Sequence, residues 1–340
     1  MATITDVAEL AKVSKNTVSR YLNNRGYISQ QTRDNIQQAI DFLHYRPNQI
    51  ARSLYSNKTN IVGLVIPDVT QPFFAKMASL IEDELDKNGY RMILCNTMHS
   101  SVKEQKYIDL LIGNKVDGII IGSHSVDINY KDIDAPIVAL DRWLADDIPV
   151  VSANHTQGGI LAAQAMMERN CKNVVQLVAN SKVLSPSSQR HQVFAEQMKA
   201  NGIRCLTYEL KLNQFEFQTY LETADDFFNE NPEVDGIFAS DLVALAFQKK
   251  ALERGIQIPQ DLFLFGYDGS FIYQTAYPEL PTVVQPYKEL SETIVHVLVE
   301  KMSGKQLSRL SYTLPVKLSK DEQIKSEPNF EPRLLTSFPD

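Results

Sequence analysis

Polar side chains with DNA-reading chemistry are grouped on one short predicted helix near the start of the chain. The helix covers residues 15–22, and its apolar positions leave a polar face opposite them. That face consists of Lys15, Asn16, Thr17, Ser19 and Arg20. Lys and Arg donate hydrogen bonds to guanine, Asn pairs with adenine, and Thr and Ser reach phosphates. The face therefore predicts contact with a DNA major groove, and a solvated face of a small helical bundle is the alternative.

Three short helices are predicted to position this face. Thr3 and Asp6 have the spacing of a capping box, with Asp in place of the usual Glu. Ser14 is placed to cap the second helix, and Ser29 to cap the third. Two short helices joined by a tight turn, with a third that closes a small core, form a helix-turn-helix. The sequence predicts such a domain over residues 1–46.

A second candidate DNA segment follows at residues 47–59. Pro47 can begin a short helix here, although so few residues are not stable as an isolated helix in water. Leu54 comes late in this segment and has no obvious core to enter. Two interpretations stay open at this point, a linker residue and an apolar wedge that opens a base step in the minor groove.

The charge of the chain is divided unevenly. Residues 1–60 contain eight Lys and Arg against four Asp and Glu, a net charge of +4, whereas the whole chain has 34 against 41, a net charge of −7. The remaining 280 residues therefore have a net charge of −11. A basic first segment on an acidic remainder favours contact of that segment with a polyanion. Chance is the alternative, since eight basic side chains in sixty residues are not unusual.

Composition places the chain among ordinary globular proteins. Hydrophobic residues make up 44% and charged residues 22%, which excludes wholesale disorder and low-complexity classes. Cys95, Cys171 and Cys205 lie far apart without a CxxC motif, so we expect neither a disulfide framework nor a structural zinc site. We recognise no signal peptide or membrane-spanning stretch, and we expect a cytoplasmic location.

The sequence lacks the motifs of common enzymes and cofactor-binding proteins. It contains no GxGxxG, P-loop or GxSxG pattern, and its six histidines are scattered without metal-ligand spacing. The acidic pairs Asp146-Asp147 and Asp225-Asp226 are interpreted as solvated surface, not as acid–base pairs. We therefore expect no enzyme activity, no metal and no cofactor.

From residue 60 the sequence alternates between apolar strands and amphipathic helices. This alternation predicts an α/β architecture with parallel sheets covered on both faces, and its length predicts two doubly wound lobes. We assign the body to residues 60–325, with an N-lobe at 60–153 and 282–318, a C-lobe at 154–281, and a tail at 326–340. Ligands in such folds bind at the carboxyl ends of strands, and between two lobes that place is a cleft.

Residues that follow predicted strands are the main candidates for ligand binding. They combine aromatic rings with carboxylates, amides and Arg, a set that binds polyols through hydrogen bonds and through stacking of C–H faces on rings. The candidates are Asp68, Phe73, Phe74, Ser123, Arg142, Trp143, Arg190, Phe215, Ser240, Asp241, Asp268 and Gln285. A loop residue that caps a helix is the alternative for any one of them, and for Asp241 in particular.

Two stretches within about the first 55 residues resemble the LacI/GalR family of bacterial transcriptional repressors. They are TITDVAELAKVSKNTVSRYLNN and ISQQTRDNIQQAIDFLHYRPNQIARSL, which contain the family's DVAxxAxVSxxTVSR core and YxPNxxARSL hinge. The resemblance implies that Lys15, Asn16 and Arg20 read bases, and that a hinge helix carries Leu54 as the wedge. The DNA-contact set that it implies is Thr3, Ser14, Lys15, Asn16, Thr17, Ser19, Arg20, Asn23, Tyr45, Asn48, Gln49, Ala51 and Leu54.

The body resembles the same family's effector domain, which is similar to periplasmic binding proteins. The matching phrases are IVGLVIPDVTQPFF, VDGIII, DLFLFGYDGS and PTVVQPYKEL. The resemblance implies an aromatic clamp at Phe73 and Phe74, an effector-binding arginine at Arg190 and an effector-binding aspartate at Asp268. The departures from the family pattern are Ser240 for a common Asn, Asn154-His155 for a common Asp-Asn, and Gln192-Val193-Phe194 without the usual Gly.

Within the family, the stretch APIVALDRWLADDIPVVSANHTQGG is most similar to sucrose operon repressors of Gram-positive bacteria. The resemblance implies a homodimer that binds a palindromic operator, represses a sugar-utilisation operon and is released by a sugar or sugar phosphate. No membrane partner is expected, and no apolar heptads follow residue 303 to build a tetramer. The alternatives are a repressor of another sugar operon, such as a ribose operon, and a sugar-binding transport component with the same body.

Overall fold

The structure is a computed structural model that describes residues 2–45, 58–123, 125, 127–178, 185–210 and 216–319. The chain divides after Thr59 into two compact units. The predicted DNA-binding segment lies in the first unit and the predicted ligand-binding body in the second, and each unit is described by itself.

Local capping fixes where the helices of the first unit begin. The helices are α1 (Ile4–Leu10), α2 (Lys15–Leu22) and α3 (Gln30–Phe42). The side chain of Thr3 accepts from the backbone N–H of Asp6, and the Asp6 carboxylate accepts from the backbone N–H of Thr3 at 2.7 Å, so the predicted capping box is confirmed. Ser14 and Ser29 cap α2 and α3 through their side-chain oxygens, as predicted.

A small apolar core holds the three helices together. Val7 from α1, Val18 from α2 and Ile36 from α3 are fully buried against one another. Each lies on the inward face of its helix, so the polar side chains of α2 are left on the outward face. This arrangement is the predicted helix-turn-helix.

The second unit consists of alternating strands and helices. The strands are β1 (Ile61–Ile66), β2 (Arg91–Asn96), β3 (Gly118–Ile121), β4 (Ile137–Leu140), β5 (Val150–Ala153), β6 (Asn173–Val178), β7 (Arg204–Glu209), β8 (Gly236–Phe238), β9 (Phe263–Asp268), β10 (Thr282–Val284), β11 (Ser311–Leu314) and β12 (Lys317–Leu318). The helices are α4 (Pro72–Lys87), α5 (Ser101–Gly113), α6 (His155–Glu168), α7 (Ser188–Ala200), α8 (Phe217–Glu230), α9 (Asp241–Glu253) and α10 (Tyr287–Met302). Among the described residues, no helix has the length and apolar character that a membrane span requires.

The strands form two sheets, and each sheet with its helices is called a lobe. The first sheet has the order β11-β5-β4-β3-β1-β2 and is parallel throughout. Helices α4 and α10 pack on one of its faces and α5 packs on the other. The near-continuous burial of β1, β3 and β4 follows from this double cover, because neither face of the sheet meets water.

The second sheet has the order β12-β10-β9-β8-β6-β7, and only β12 runs antiparallel to its neighbour among the pairings described. Helices α8 and α9 cover one face, and α6 and α7 cover the other. The two doubly wound lobes that the alternation predicted are therefore present.

The boundary between the lobes differs from the predicted one. The sequence assigned residues 282–318 to the N-lobe, but β10 pairs with β9, and β12 pairs with β10, in the second sheet. Only α10 and β11 from that range join the first lobe. The chain thus crosses between lobes near Asn154, near Pro286 and near Pro315, and the short strand β10 carries Gln285 to the end of the second sheet.

Candidate functional site

The outward face of α2 presents the polar side chains that the sequence predicted. Lys15 and Asn16 are exposed in its first turn, and Arg20 is exposed in its last turn. Thr17 lies between them, and its hydroxyl is 2.9 Å from that of Ser14, the helix cap. The face therefore joins two cationic donors to an amide, which is the chemistry that recognises base edges.

The loop after α2 orients Arg20. Its Nη2 donates to the carbonyl of Tyr27 at 3.1 Å, and its Nε donates to the carbonyl of Arg25 at 3.5 Å. Gly26 lies between these two carbonyls with φ +69°, and a Cβ there would be 2.6 Å from the Arg20 Nη2. Glycine suits this position because the backbone is left-handed and the guanidinium approaches it closely.

Three other predicted DNA residues have partners within the first unit. The Asn23 side-chain amide donates to the carbonyl of Ser19 at 2.8 Å, and Thr3 belongs to the capping box. Tyr45 is half-buried against the core, and this burial raises the pKa of its hydroxyl. Their contacts with DNA phosphates stay predictions.

Tyr27 is an exposed aromatic residue that the sequence analysis did not single out. Its side chain is 87% exposed, and its carbonyl accepts the hydrogen bond from Arg20. Tyrosine hydroxyls contact DNA phosphates, so Tyr27 is added to the candidate DNA residues. The signal in the sequence was an aromatic residue directly after Gly26, in the loop between two helices.

Asp241 is the most enclosed carboxylate among the candidates of the second unit. It begins α9 and is 1% exposed. Its Oδ1 accepts from the Thr282 hydroxyl at 2.6 Å, and its Oδ2 accepts from the backbone N–H of Ser270 at 3.0 Å. A Cβ on Gly266 would lie 2.4 Å from the same Oδ1, so β9 needs glycine at that point. The capping alternative for Asp241 is wrong, because its carboxylate binds the strand and loop beside the helix.

Asp268 ends β9 in a conformation that is unusual for an aspartate. Its φ is +113°, and its Oδ1 accepts from the Gln285 side-chain amide at 2.8 Å. Burial raises the pKa of its carboxyl to about 6, although Arg190 and the Gln285 hydrogen bond act in the opposite direction. Burial, with the charge of Asp268, also raises the pKa of Asp241. Backbone strain and a raised carboxyl pKa at one residue are typical of functional sites.

A series of contacts runs from Arg190 in the second lobe to Asp141 in the first. The guanidinium carbon of Arg190 lies 4.3 Å from the centre of the Tyr267 ring. The Tyr267 hydroxyl is 2.7 Å from His155 Nδ1, and His155 Nε2 is 2.8 Å from Asp141 Oδ1. Asp141 follows β4, and His155 and Tyr267 belong to α6 and β9, so these side chains connect the two lobes. His155 is one of the departures from the family pattern, which was the signal for it in the sequence.

Aromatic side chains from the first lobe lie near the same carboxylates. Phe73 and Phe74 on α4 meet edge-to-face at 5.1 Å, and Phe73 lies 5.7 Å from the ring of Tyr287. Burial raises the pKa of Tyr287, and the charges of Asp268 and Asp241 act in the same direction. The expected aromatic clamp therefore gains a third ring, which sequence reasoning missed.

Two buried polar atoms in this region have no hydrogen-bond partner among the described residues. They are the hydroxyl of Tyr287 and the Oε1 of Gln285. Buried polar groups in proteins are almost always paired, so these two atoms are candidates to bind a ligand or an ordered water. Asp68, at the end of β1, is also buried and accepts from the backbone N–H of Thr70 at 2.9 Å.

The arrangement suits a ligand with several hydroxyl groups. Carboxylates and the Gln285 oxygen accept hydrogen bonds, Arg190 donates them, and the rings of Phe73, Phe74 and Tyr287 offer apolar faces. Within the residues that the structure describes, no three His, Cys, Asp or Glu side chains are grouped to bind a metal ion.

Comparison with known proteins identifies the family. Residues 3–48 match the model of bacterial regulatory proteins of the lacI family, and residues 59–313 match that of periplasmic binding proteins and the sugar binding domain of the LacI family. The chain belongs to the LacI family. The sucrose operon repressor of Streptococcus mutans is 36% identical to this LacI-family protein over 328 residues, which cover 95% of this chain and 100% of the relative. The ribose operon repressor of Halalkalibacterium halodurans is 36% identical over 337 residues, with 97% and 99% covered.

Solved structures show the same architecture. A periplasmic binding protein/LacI transcriptional regulator from Alkaliphilus metalliredigens, complexed with D-xylulofuranose, is 30% identical with a TM-score of 0.70 and covers 77% of this chain and 97% of its own. The Lac repressor dimer bound to operator and the anti-inducer ONPF has a TM-score of 0.83 at 22% identity, with 94% and 98% covered. The second likeness concerns the fold alone.

Two residues expected to bind effector have other partners in this LacI-family protein. Ser123 is fully buried and donates to Glu104 Oε1 at 2.5 Å, as does the hydroxyl of Tyr130. Arg142 is 4% exposed and donates to the carbonyl of Ser125 at 2.8 Å, and burial lowers its pKa. The buried carboxylate of Glu104 takes the Ser123 hydroxyl, so we correct the assignment of Ser123 from ligand binding to support of the first lobe. The Nε and Nη1 of Arg142 are buried without a partner among the described residues, so its effector role stays a prediction.

Trp143 is also separated from the other candidates. It lines a surface pocket of about 570 Å³ together with Arg309 and Leu310, and no other candidate among the described residues lines that pocket. The pocket includes Val150 and Ser311, at the amino ends of β5 and β11, whereas the other candidates follow carboxyl ends. The expectation that Trp143 joins them is therefore corrected.

Several predicted residues of the LacI-family pattern lie outside the described residues. They are the hinge residues Asn48, Gln49, Ala51 and Leu54, and the candidate effector residue Phe215. Their roles stay predictions from the sequence.

Proposed function

We propose that this LacI-family protein is a cytoplasmic transcriptional repressor of a sugar-utilisation operon and not an enzyme. It binds a palindromic operator as a homodimer, and a sugar or sugar phosphate releases it. Sucrose utilisation is the favoured operon. The proposed effector residues are Asp68, Phe73, Phe74, Arg142, Arg190, Phe215, Ser240, Asp241, Asp268 and Gln285, with Tyr287 added.

One observation supports the proposal: the same chain has donors suited to base edges in one unit and acceptors suited to a polyol in the other. Lys15 and Arg20 supply the base-edge donors on α2. Asp241 and Asp268 supply acceptors in the second unit, and the buried hydroxyl of Tyr287 has no partner among the described residues. A protein that only stores or transports sugar does not need base-edge donors such as those on α2.

The proposed mechanism couples the two sites through free energy. A twofold dimer places one helix-turn-helix on each half of a palindromic operator. The lobes exchange between two arrangements in this mechanism. Sugar that binds between the lobes changes the equilibrium between these arrangements only because its affinity for one differs from its affinity for the other. The contacts from Arg190 through Tyr267 and His155 to Asp141 connect the two lobes at the site. A sugar that binds Arg190 is therefore linked by side-chain contacts to both lobes. Coupling of this kind is reciprocal, so operator must weaken sugar binding by the same factor.

The test begins with an operator selected from random duplex DNA by the purified protein. Binding of that operator is followed by fluorescence anisotropy, and sucrose, sucrose 6-phosphate, fructose and ribose are each titrated by calorimetry. We expect one of these sugars to bind and to lower operator affinity about tenfold or more. Absence of any selected operator would contradict the DNA function, and operator affinity insensitive to a sugar that binds would contradict the coupling.

The same screen separates the two sugar assignments. The sucrose and the ribose operon repressors cited above are equally identical to this chain, so identity alone does not choose between them. Release by sucrose or its phosphate supports the sucrose assignment, and release by ribose alone replaces it. Sugar binding without retention of any DNA supports the transport alternative.

A further inference from the structure

Arg190 is held by two side chains that act in different directions. Its guanidinium lies over the ring of Tyr267, 4.3 Å from the ring centre. A ring face sets the distance of a guanidinium but leaves it free to rotate and slide in its own plane. The second contact removes that freedom, because Arg190 Nε donates in that plane to His191 Nε2 at 3.2 Å.

The hydrogen bonds of His191 determine where its ring proton lies. Arg has no acceptor, so His191 Nε2 must be unprotonated to receive the Arg190 N–H. The proton of the neutral ring is then on Nδ1, which lies 3.2 Å from Gln176 Oε1. The Gln176 amide donates in turn to the Thr207 hydroxyl at 2.9 Å. Each member of this series of side chains therefore has one defined orientation.

The surroundings of His191 favour this neutral form. Burial, the charge of Arg190 and the proximity of His155 all lower the pKa of His191 well below its usual value. The ring of Phe238, 5.5 Å away on β8, covers it with an apolar surface. A protonated His191 would turn an N–H toward the Arg190 Nε and break the contact.

The backbone of Arg190 is fixed as closely as its side chain. A Cβ on Gly159 would lie 2.4 Å from the Arg190 carbonyl oxygen, so α6 and α7 touch at this point without room for a side chain. With the main chain fixed, the ring of Tyr267 and the His191 acceptor are enough to select one position of the guanidinium.

We propose that His191 is a positioning residue for effector recognition, which holds the Arg190 guanidinium through its Nε so that the rest of the fork is presented to sugar oxygens. The inference rests on the proposed function of Arg190 as an effector-binding residue. It adds to that function the series His191, Gln176 and Thr207, which reaches the edge strand β7.

The first experiment tests the ring state directly and needs no sugar. The protein is labelled with ¹⁵N-histidine, and long-range ¹H–¹⁵N correlations report the tautomer of each of its six histidines. His191→Gln identifies the His191 signals by their loss. We expect the neutral Nδ1–H tautomer at His191, unchanged between about pH 8 and about pH 5.5. The Nε2–H tautomer, or protonation near the ordinary histidine pKa, would overturn the proposal.

The second experiment measures function in four variants. His191→Leu removes the acceptor, His191→Gln keeps an oxygen that can accept from Arg190, and Arg190→Ala removes the fork. His296→Leu, at a side chain that is 71% exposed on α10, is the matched control. Affinity for sucrose, sucrose 6-phosphate, fructose and ribose is measured by calorimetry, and operator affinity is measured without sugar.

We expect His191→Leu to weaken binding of the sugar that the wild type binds by about tenfold, and His191→Gln to restore most of that loss. Operator affinity without sugar is expected to match the wild type in both. If Arg190→Ala binds sugar as well as the wild type, the proposed role of Arg190 itself fails. If Arg190→Ala is weak and His191→Leu is normal, Arg190 keeps its role and the positioning role of His191 is overturned. If none of the four sugars binds the wild type, the tautomer of His191 measured in the first experiment decides whether the proposed positioning role of His191 stands.

Discussion

Replacing Asp268 by Asn is expected to stabilise the sugar-free protein at pH 8 and to weaken its sugar binding. Burial raises the pKa of the Asp268 carboxyl from the ordinary 3.8 to about 6. The folded protein therefore binds this proton more tightly than the unfolded chain does. Its free energy of unfolding falls as pH rises from 3.8 to about 6. Above that range the carboxyl is ionised in both states, and the whole loss of stability caused by burying its charge is present.

The size of this cost follows from the pKa difference. A pKa difference of one corresponds to about 1.4 kcal/mol. The rise in the pKa of Asp268 from 3.8 to about 6 therefore lowers the free energy of unfolding by about 3 kcal/mol at pH 8. At pH 5 the carboxyl is mostly protonated in the folded protein, and the cost falls to about half. Asn has no charge to bury, it can still accept from Gln285, and it tolerates the positive φ of this position.

The assay is urea unfolding of the sugar-free protein at pH 5 and pH 8, with wild type, Asp268→Asn and the exposed control Asp127→Asn. We expect a gain of at most about 3 kcal/mol for Asp268→Asn at pH 8, a gain of about half that at pH 5, and no change for the control. Calorimetry is expected to show sugar affinity about tenfold lower for Asp268→Asn. Equal stability of wild type and Asp268→Asn at pH 8, or an equal gain at both pH values, would refute the reasoning.

Four further substitutions, with Gly113→Ala as a control, test other parts of the molecule. Lys15→Ala and Arg20→Ala are expected to lose about 1–3 kcal/mol of operator discrimination each with unchanged sugar affinity, and selectivity kept in a mobility-shift titration would contradict this. Leu54→Ala is expected to weaken operator binding and DNA bending without changing dimerisation, so unchanged bending by fluorescence transfer would make Leu54 a linker residue. Gly159→Ala is expected to lower the unfolding midpoint and the sugar affinity, because its Cβ would lie 2.4 Å from a carbonyl oxygen of α7. In the control Gly113→Ala, the added Cβ meets nothing within 4 Å, so neither the unfolding midpoint nor the sugar affinity should fall.

Features of the fold that depend on near neighbours in the chain were predictable. Thr3, Ser14 and Ser29 cap helices whose backbone N–H groups lie three residues further on, so the three helix starts follow from spacing alone. The apolar runs at β1 and β3 have strand length and lie between helical patterns, which predicts a covered parallel sheet. The family motifs then identified α2 and the residues after β9 as candidate contact sites.

The composition of the candidate site depended on pairings between distant residues. Glu104 lies on a helix 19 residues before Ser123, and no local pattern indicates that its carboxylate takes the Ser123 hydroxyl away from the site. Thr282 lies 41 residues after Asp241, and their hydrogen bond requires the short strand β10 to pair with β9. The sequence placed that strand in the wrong lobe, because an isolated apolar triplet such as Thr282–Val284 fits the edge of either sheet.

The sequence by itself determined most of the helices and strands and the polar face of α2, because caps, turns and hydrophobic periodicity act over a few residues. It did not predict the edge strands β7 and β12. The tertiary structure alone decided which polar side chains share a site. It buried Ser123 against Glu104, set Trp143 apart, and packed Tyr287 against Phe73. Those outcomes depend on strand order and on where the chain crosses between lobes, which are properties of the whole chain and not of any short segment.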